Sequence, residues 1–202
     1  MTYPKFYDDV ENITLYDPLS ELLGSFEKGM INFKYIQIVK AAGHSCPTVA
    51  GAYLMTLTAI KALYPEGNGV RGQIDVSFGE KLEDGVAGVI GNVVTQITGA
   101  TDRSGFKGLN GKFARHSLMH FDTATKASAR FMRTDTKKTV DVFYNPSSVK
   151  PHLEQMPLMQ KIMQGSATPE EKKRFGELWQ MRVEDILCRH NNDEKVISIT
   201  YM

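Results

Sequence analysis

The sequence predicts an α+β fold in which helices pack against a mixed β-sheet and a helical extension follows. Two patterns of hydrophobic residues support this prediction. Several short segments alternate apolar and polar residues, as strands do, whereas residues 47–64 repeat apolar residues at spacings of three and four, as helices do. The chain has 202 residues, 42% of them hydrophobic and 23% charged, so it is long enough to bury a core without disulfides.

The first half of the chain contains the clearest helix. In chain order we predict a short helix from Asp17 to about Gly24, a strand over residues 33–39, a helix over 47–64, a strand over 74–78 and a helix over 84–98. The strand at 33–39 rests on its aromatic and β-branched residues with a period near two. The long helix begins with a proline, which suits a first helical position, and a proline and a glycine follow it.

The second half alternates less regularly. It predicts a glycine-rich loop over residues 99–111, strands over 113–121, 127–134 and 139–144, helices over 153–163 and after Thr168, and a last strand over 195–201. Thr168 and Glu171 have the spacing of a capping box. Because the composition changes after Pro146, we divide the chain into an α+β domain over residues 1–150 and a helical extension with a final strand over 151–202.

Charge and cysteine content narrow the classes of function. The 24 basic and 23 acidic residues give a formal net charge of +1, which does not indicate a nucleic-acid partner. No stretch approaches the roughly 20 apolar residues of a membrane span, and residues 1–12 lack the pattern of a signal peptide. Only Cys46 and Cys188 are present, far apart, which favours a reducing compartment. We therefore expect a cytoplasmic protein without membrane or nucleic-acid partners.

The segment from Gly43 to Pro47 brings a histidine and a cysteine to a helix start. Pro47 at the first helical position places Cys46 at the N-cap. There, backbone N–H groups and the positive end of the helix dipole favour a thiolate. His44 lies two residues earlier, so in an extended chain both side chains point to one side.

Three uses of this pair follow from the residue types. Imidazole and thiolate suit zinc or another divalent transition metal; the histidine can instead assist a cysteine nucleophile; or a buried cysteine lies beside a core histidine. His116 and His120, four apart on a predicted strand, share a face and either supply further metal ligands or form a half-buried polar stripe. The glycine-rich loop either cradles an anion through backbone N–H groups or is a flexible connection.

Two ordered motifs within residues 33–144 resemble those of the formylmethanofuran dehydrogenase E-subunit family. The first is Gly-His-x-Cys-Pro at the start of a long helix, here Gly43 to Pro47. The second is Thr-Gly-Cys-Thr, followed by a glycine-rich loop and Gly-Lys; here it reads Thr98, Gly99, Ala100 and Thr101, then Gly111 and Lys112. The resemblance implies a mixed sheet with packed helices, a homodimer and a metal site that contains His44 and Cys46.

The chain departs from the family pattern in three ways. Ala42 stands where members often have a further histidine, Ala100 replaces the cysteine of the second motif, and the zinc ribbon with paired Cys-x-x-Cys is absent. A family-type site therefore survives in part, and its other ligands must come from His116 or His120, a partner subunit, water or a small molecule. We expect Ala100 to line the same cavity as His44 and Cys46. The residues expected to contact a bound small molecule are Thr98, Gly99, Ala100, Thr101 and Lys112.

These observations predict a metal-binding protein, with zinc the expected metal, that is accessory or of unknown activity. The alternatives are a metal- or cysteine-dependent enzyme acting on a small molecule, and a dimeric module that binds a small ligand or cofactor. We predict a homodimer from two features: a small-residue notch at Gly51 and Ala52, which allows close approach of another element, and the methionine-rich residues 153–163, which offer an adaptable apolar surface.

Overall fold

The computed structural model describes residues 3–202 and shows the α+β fold that the sequence predicts. Its strands are β1 (Ile13–Tyr16), β2 (Met30–Phe33), β3 (Gly69–Val70), β4 (Ile74–Ser77), β5 (Met119–His120), β6 (Ala129–Arg133), β7 (Thr139–Tyr144) and β8 (Ile197–Tyr201). Its α-helices are α1 (Pro18–Leu22), α2 (Tyr35–Ala42), α3 (Pro47–Leu63), α4 (Ala87–Thr98), α5 (Gln155–Met163) and α6 (Pro169–Glu184). Residues 1 and 2, the first of those inspected for a signal peptide, lie outside the described residues.

The strands form two mixed sheets. The larger sheet has the order β5-β4-β6-β7-β8, in which β4 and β5 are parallel and the other neighbours are antiparallel. The smaller sheet has the order β2-β1-β3, with β1 antiparallel to β2 and parallel to β3. The mixed sheet that the sequence predicts is therefore present.

Helices α3 and α4 cover one face of the larger sheet. In β4, Ile74 and Val76 are fully buried while Asp75 and Ser77 are half-buried, because alternate residues of a strand face opposite sides. Helix α3 is buried along most of its length, which is why its apolar residues are not confined to one stripe. In the part of the chain that the structure describes, no helix is both long and apolar enough to cross a membrane.

Helices α3 and α4 end at the same side of the sheet. The Leu63 carbonyl, at the end of α3, accepts a hydrogen bond from Arg133 Nη1 at 3.3 Å. The Thr98 carbonyl, at the end of α4, accepts one from the Gly72 N–H at 2.8 Å. Arg133 pairs with Ile74, where β4 begins, two residues after Gly72. We call this side, defined by Leu63 and Thr98, the helix-stop end.

The two helices also begin at the same side, since Thr48 of α3 and Ala87 of α4 line one cavity. We call this side the helix-start end and define it by Pro47 and Tyr144. The Tyr144 hydroxyl, at the end of β7, donates to the Pro47 carbonyl at 2.7 Å. The Tyr144 ring lies over Gly51, where an added Cβ would meet it at 2.1 Å. Another element therefore does approach closely at Gly51, but it belongs to the same chain, so the notch does not offer a surface to a second copy.

Residues 33–39 form a strand end and a helix, whereas the sequence predicts one strand. Strand β2 ends at Phe33 and α2 begins at Tyr35. The Lys34 N–H donates to Gln37 Oε1 at 2.8 Å, which caps the helix, and Tyr35 and Ile38 are buried at a spacing of three. Packing of these two side chains outweighs the strand preference of aromatic and β-branched residues.

Residues 113–121 contain only the two-residue strand β5, although the sequence predicts a strand along the whole segment. Phe113 and Ser117 have positive φ angles of 63° and 56°, which an extended strand does not allow. The segment folds back instead, and the Leu118 N–H donates to the Thr101 carbonyl at 3.0 Å.

The C-terminal part packs against the rest of the chain. Thr168 and Glu171 form the predicted capping box at the start of α6. Strand β8 pairs with β7 at the edge of the larger sheet, and β7 has the bounds that the sequence predicts. The division of the chain after residue 150 remains a prediction.

Candidate functional site

Cys46 is the N-cap of α3, as the sequence predicts. Its backbone is extended, with φ −147° and ψ 169°, and its Sγ accepts a hydrogen bond from the Val49 N–H at 3.4 Å. Pro47 follows at the first helical position and has no N–H to leave unpaired. The Cys46 side chain is partly exposed. The sulfur therefore lies at the positive end of the helix dipole, in a residue that is half-buried and packs against the core.

His44 is exposed on the turn between α2 and α3. Gly43 makes that turn with a left-handed backbone, φ 77°, and its N–H donates to the Val39 carbonyl, which closes α2. His44 Nδ1 lies 3.1 Å from the Ala42 carbonyl oxygen. Because a carbonyl oxygen only accepts, this contact places a proton on Nδ1.

Ser45, between His44 and Cys46, is held in place by hydrogen bonds. Its hydroxyl is 2.9 Å from the Tyr35 hydroxyl, and burial raises the pKa of that tyrosine. Its carbonyl accepts hydrogen bonds from Trp179 Nε1 and Gln180 Nε2, both at 3.1 Å. Helices α2 and α6 therefore fix the backbone between His44 and Cys46.

A cavity of about 520 Å³ opens at the helix-start end, between α3, α4 and the loop before β6. Met55, Phe78 and Ile90 form a buried apolar floor. Hydroxyl groups and two charges line the rest, from Thr48, Glu80, Thr123, Lys126, Ser128 and Tyr144. An apolar cavity with a few polar groups is the usual form of a small-molecule site.

Tyr144 connects the cavity to the His44–Cys46 segment. It lines the cavity, and its hydroxyl donates to the carbonyl of Pro47, the residue after Cys46. Burial raises the pKa of Tyr144, so it remains a neutral donor at physiological pH. Thr48 also lines the cavity, although His44 and Cys46 do not.

Comparison with known proteins identifies the family. The family model described as "FmdE, Molybdenum formylmethanofuran dehydrogenase operon" matches residues 41–195, which is more than half of the chain and includes Gly43 to Pro47. The chain belongs to the FmdE family. The family assignment made from the two motifs is therefore confirmed.

A solved structure of an FmdE-like protein is also similar. It is a tungsten formylmethanofuran dehydrogenase E-subunit (FmdE)-like protein from Syntrophus aciditrophicus, 16% identical, with a TM-score of 0.43. The match covers 84% of this chain and 72% of that chain. No curated protein matches the chain.

The second FmdE motif lies at the helix-stop end, away from Cys46. Ala100 is fully buried just after α4, and its N–H donates to Thr98 Oγ1 at 3.1 Å. Because α3 and α4 run in the same direction, the start of one and the end of the other lie on opposite sides. The expectation that Ala100 lines the cavity of His44 and Cys46 is therefore wrong.

The backbone N–H groups around this second motif have partners within the chain. The N–H of Gly99 donates to Thr95 and that of Thr101 to Arg115, both at 2.9 Å. These hydrogen bonds hold the loop closed, so these groups are not available to cradle an anion. Contact of Thr98, Gly99, Ala100 and Thr101 with a bound molecule remains a prediction; Lys112 is exposed and lines a separate depression.

His120 faces away from Cys46. It pairs with Ser77 of β4, and its Nε2 lies 2.9 Å from Asp75 Oδ2. Asp75 and Ser77 are on the sheet face opposite to Ile74 and Val76, which face the helices. The sheet therefore separates His120 from the Cys46 segment of the same chain.

His116 lies outside any strand, so it does not share a sheet face with His120 as predicted. Its Nδ1 is 2.9 Å from the Ser117 hydroxyl, and the positive φ of Ser117 turns the chain between the two histidines. Across residues 3–202, no three His, Cys, Asp or Glu side chains gather to hold a metal ion.

Sequence reasoning did not find Thr48, Tyr144, Trp179 or Gln180 as parts of this region. Thr48 carries a signal, because it directly follows the Gly-His-x-Cys-Pro motif. The other three come from distant segments, and only the fold brings them to the start of α3.

Proposed function

We propose that this FmdE family member binds a divalent transition metal, zinc being the expected one, through His44 and Cys46, and holds a small molecule in the neighbouring cavity. The observation that carries the proposal is the hydrogen bonding of these two side chains, because it fixes how the imidazole and the sulfur are placed at the start of α3.

For His44, the Ala42 carbonyl is the deciding contact, at 3.1 Å from Nδ1. With the proton on Nδ1, the neutral imidazole offers the lone pair of Nε2 as a ligand. Metal-binding histidines commonly have their second nitrogen oriented by a carbonyl or carboxylate in this way.

For Cys46, the Val49 N–H and the start of α3 are the deciding contacts. Both hold the sulfur at the start of the helix, and a cysteine sulfur is a ligand that soft and borderline metals accept. Zinc accepts imidazole and thiolate together, which makes it the expected metal.

One copy of the chain provides an incomplete zinc site. His44 and Cys46 are two ligands, whereas zinc takes four in structural sites and three plus an open position in catalytic sites. The remaining positions require water, the bound small molecule or side chains of a second copy. When bound, the metal would supply a Lewis-acidic point of attachment for the ligand.

Zinc titration against a competing indicator tests the metal proposal. The parent protein should bind zinc, Cys46→Ser should bind it at least about 10-fold more weakly, and His44→Ala should do the same, because each removes one direct ligand. Cys188→Ser is the matched control and should bind like the parent. Unchanged affinity in both Cys46→Ser and His44→Ala would overturn the proposal.

A second candidate is a binding module that needs no metal. It is favoured by the cavity itself, which is lined by neither His44 nor Cys46. In that case a ligand found by thermal-shift screening of metal-free protein would bind Cys46→Ser and the parent equally. Its binding would weaken when Tyr144→Phe or Thr48→Val changes the lining.

A cysteine-dependent enzyme is supported less well. Among the described residues, Cys46 and His44 are not hydrogen-bonded to each other: the sulfur accepts from Val49 and the imidazole contacts Ala42. A histidine-activated nucleophile needs that bond, directly or through a small movement of the turn.

A further inference from the structure

The helix-stop end contains a buried cluster of charges with excess positive charge. Asp17 Oδ1 accepts from Arg115 Nη2 at 2.6 Å, and Asp17 Oδ2 accepts from Arg71 Nη1 at 3.1 Å. The side chains of Asp17 and Arg115 are only 4% and 7% exposed, and that of Arg71 is 23% exposed. In the part of the chain that the structure describes, Asp17 is the only acidic side chain paired with either arginine, so one positive charge is not neutralised.

The cluster also contains an unsatisfied donor. Arg115 Nη1 is buried and has no hydrogen-bond partner within residues 3–202. It lies against Gly72, where an added Cβ would come within 1.7 Å of it. A buried guanidinium N–H without a partner is costly, so a native structure that keeps one calls for an explanation.

A depression of about 280 Å³ lies beside these groups. Arg71, Arg115 and Gly72 line it, and Lys112, directly after the glycine-rich loop, adds a third cation. The N–H groups of Phe113 and Ala114, which belong to lining residues, donate no hydrogen bond within residues 3–202. Three cations and one carboxylate leave two positive charges around a space of small-molecule size.

We propose that this depression binds a small dianionic oxyanion: hydrogen phosphate, or the phosphate group of a small phosphorylated compound. Guanidinium groups match phosphate oxygens in geometry, and a dianion would neutralise the charge that Asp17 leaves unpaired. This site is separate from the one under Proposed function, because it lies at the opposite end of α3 and α4.

The structure also explains why glycines are needed here. Gly72 and Gly99 have positive φ angles of 81° and 77°, and both lie within contact of the Arg115 guanidinium. A side chain at Gly72 would occupy the place of Nη1. Gly99 of the second family motif therefore leaves room for the guanidinium groups of Arg71 and Arg115. In the proposed site, side chains contact the anion, and the N–H groups of residues 99–101 do not.

Calorimetric titration with inorganic phosphate tests the proposal, at constant ionic strength so that diffuse charge effects are equal. The parent protein should show saturable binding. Lys112→Gln, an exposed change, should raise the dissociation constant roughly 10-fold, because one charge-assisted contact is lost. Lys107→Gln, five residues earlier in the chain and outside the depression, should leave the dissociation constant unchanged. Arg71→Lys keeps the positive charge but loses the paired N–H donors of the guanidinium group, so it should also weaken phosphate binding.

Two results would overturn the proposal: no saturable binding of phosphate at millimolar concentration, or equal weakening by Lys112→Gln and Lys107→Gln, which would indicate a diffuse surface effect. Glycerol phosphate, titrated in parallel, distinguishes the two sources. Tighter binding of glycerol phosphate would assign the site to a phosphorylated compound, and tighter binding of inorganic phosphate to the free anion.

Discussion

The two cysteines of the chain lie in different environments. Cys46 is partly exposed at the start of α3 and accepts a backbone N–H. Cys188 lies in the π-helical segment Asp185–Arg189, and burial and Glu184 raise its pKa; both cysteines are partly buried and pack against the core. We therefore expect brief treatment of metal-free protein with iodoacetamide at neutral pH to label Cys46 first. Mass spectrometry reads out the position, and preferential labelling of Cys188 would contradict the N-cap environment of Cys46.

Gly51 shows how closely a single residue position is fitted. A Cβ there would lie 2.1 Å from the Tyr144 ring. Gly51→Ala should therefore lower the free energy of unfolding by about 2 kcal/mol, since the ring or the helix must move. Gly67→Ala, where nothing lies within 4 Å of the added Cβ, is the control for urea unfolding. The two variants would be equally stable if Tyr144 did not occupy this position.

At the scale of elements, the sequence predicted the start of a helix correctly where neighbouring residues in the chain determine it. Pro47 after Cys46 predicted the N-cap, and the capping box predicted the start of α6. The strand predicted over residues 33–39 is wrong because burial of Tyr35 and Ile38 in a helix outweighs the strand preference of these residues. The strand predicted over residues 113–121 is wrong because Phe113 and Ser117 adopt positive φ angles, which their residue types do not indicate.

The candidate site was likewise predictable from the sequence only in part. His44 and Cys46 lie two residues apart in sequence and were predictable from a motif, whereas the cavity draws on α3, α4, β7, the residues after β4 and the loop before β6. The separation of Ala100 from Cys46 depends on the relative direction of two helices, which hydrophobic periodicity does not specify. The Asp17–Arg71–Arg115 cluster joins residues up to 98 positions apart and has no local signal.

The capping box at the start of α6 should make a measurable contribution to the free energy of unfolding. Thr168 Oγ1 accepts from the Glu171 N–H at 3.2 Å, and Glu171 Oε2 accepts from the Thr168 N–H at 3.0 Å. Thr168→Ala should lower the free energy of unfolding by about 1 kcal/mol, because a helix-start N–H loses its partner. Lys172→Ala, on the exposed side of the same helix, should change it by less than about 0.5 kcal/mol. A loss no larger than that of Lys172→Ala would show that the cap does not contribute.

At the scale of the whole molecule, the chain has two chemically different ends. The helix-start end holds His44, Cys46 and the cavity, and the helix-stop end holds the buried Arg115 and the half-buried Arg71. The last strand, β8, closes one edge of the larger sheet, and α6 contacts the turn before α3 through Trp179. Residues from both halves of the chain therefore build the helix-start end.

We also expect the chain to form a homodimer. The Gly51 notch no longer supports this, but α5 and the residues before it expose Leu153, Met156 and Met163, at 91%, 58% and 76%. Exposed apolar side chains grouped in this way favour contact with a second copy. Light scattering should give twice the chain mass of 22.6 kDa, and Met156→Glu with Met163→Glu should reduce it toward one copy, unlike Met181→Glu. A parent mass of 22.6 kDa would refute the dimer.

X-ray absorption at the zinc edge tests most directly whether His44 and Cys46 share a metal. The zinc-loaded parent should show sulfur at about 2.3 Å together with nitrogen or oxygen at about 2.0–2.1 Å. In Cys46→Ser the sulfur contribution should disappear, in Cys188→Ser it should remain, and in His44→Ala the imidazole scattering should fall. A parent spectrum without sulfur, or a Cys46→Ser spectrum that keeps it, would contradict a metal site at the start of α3.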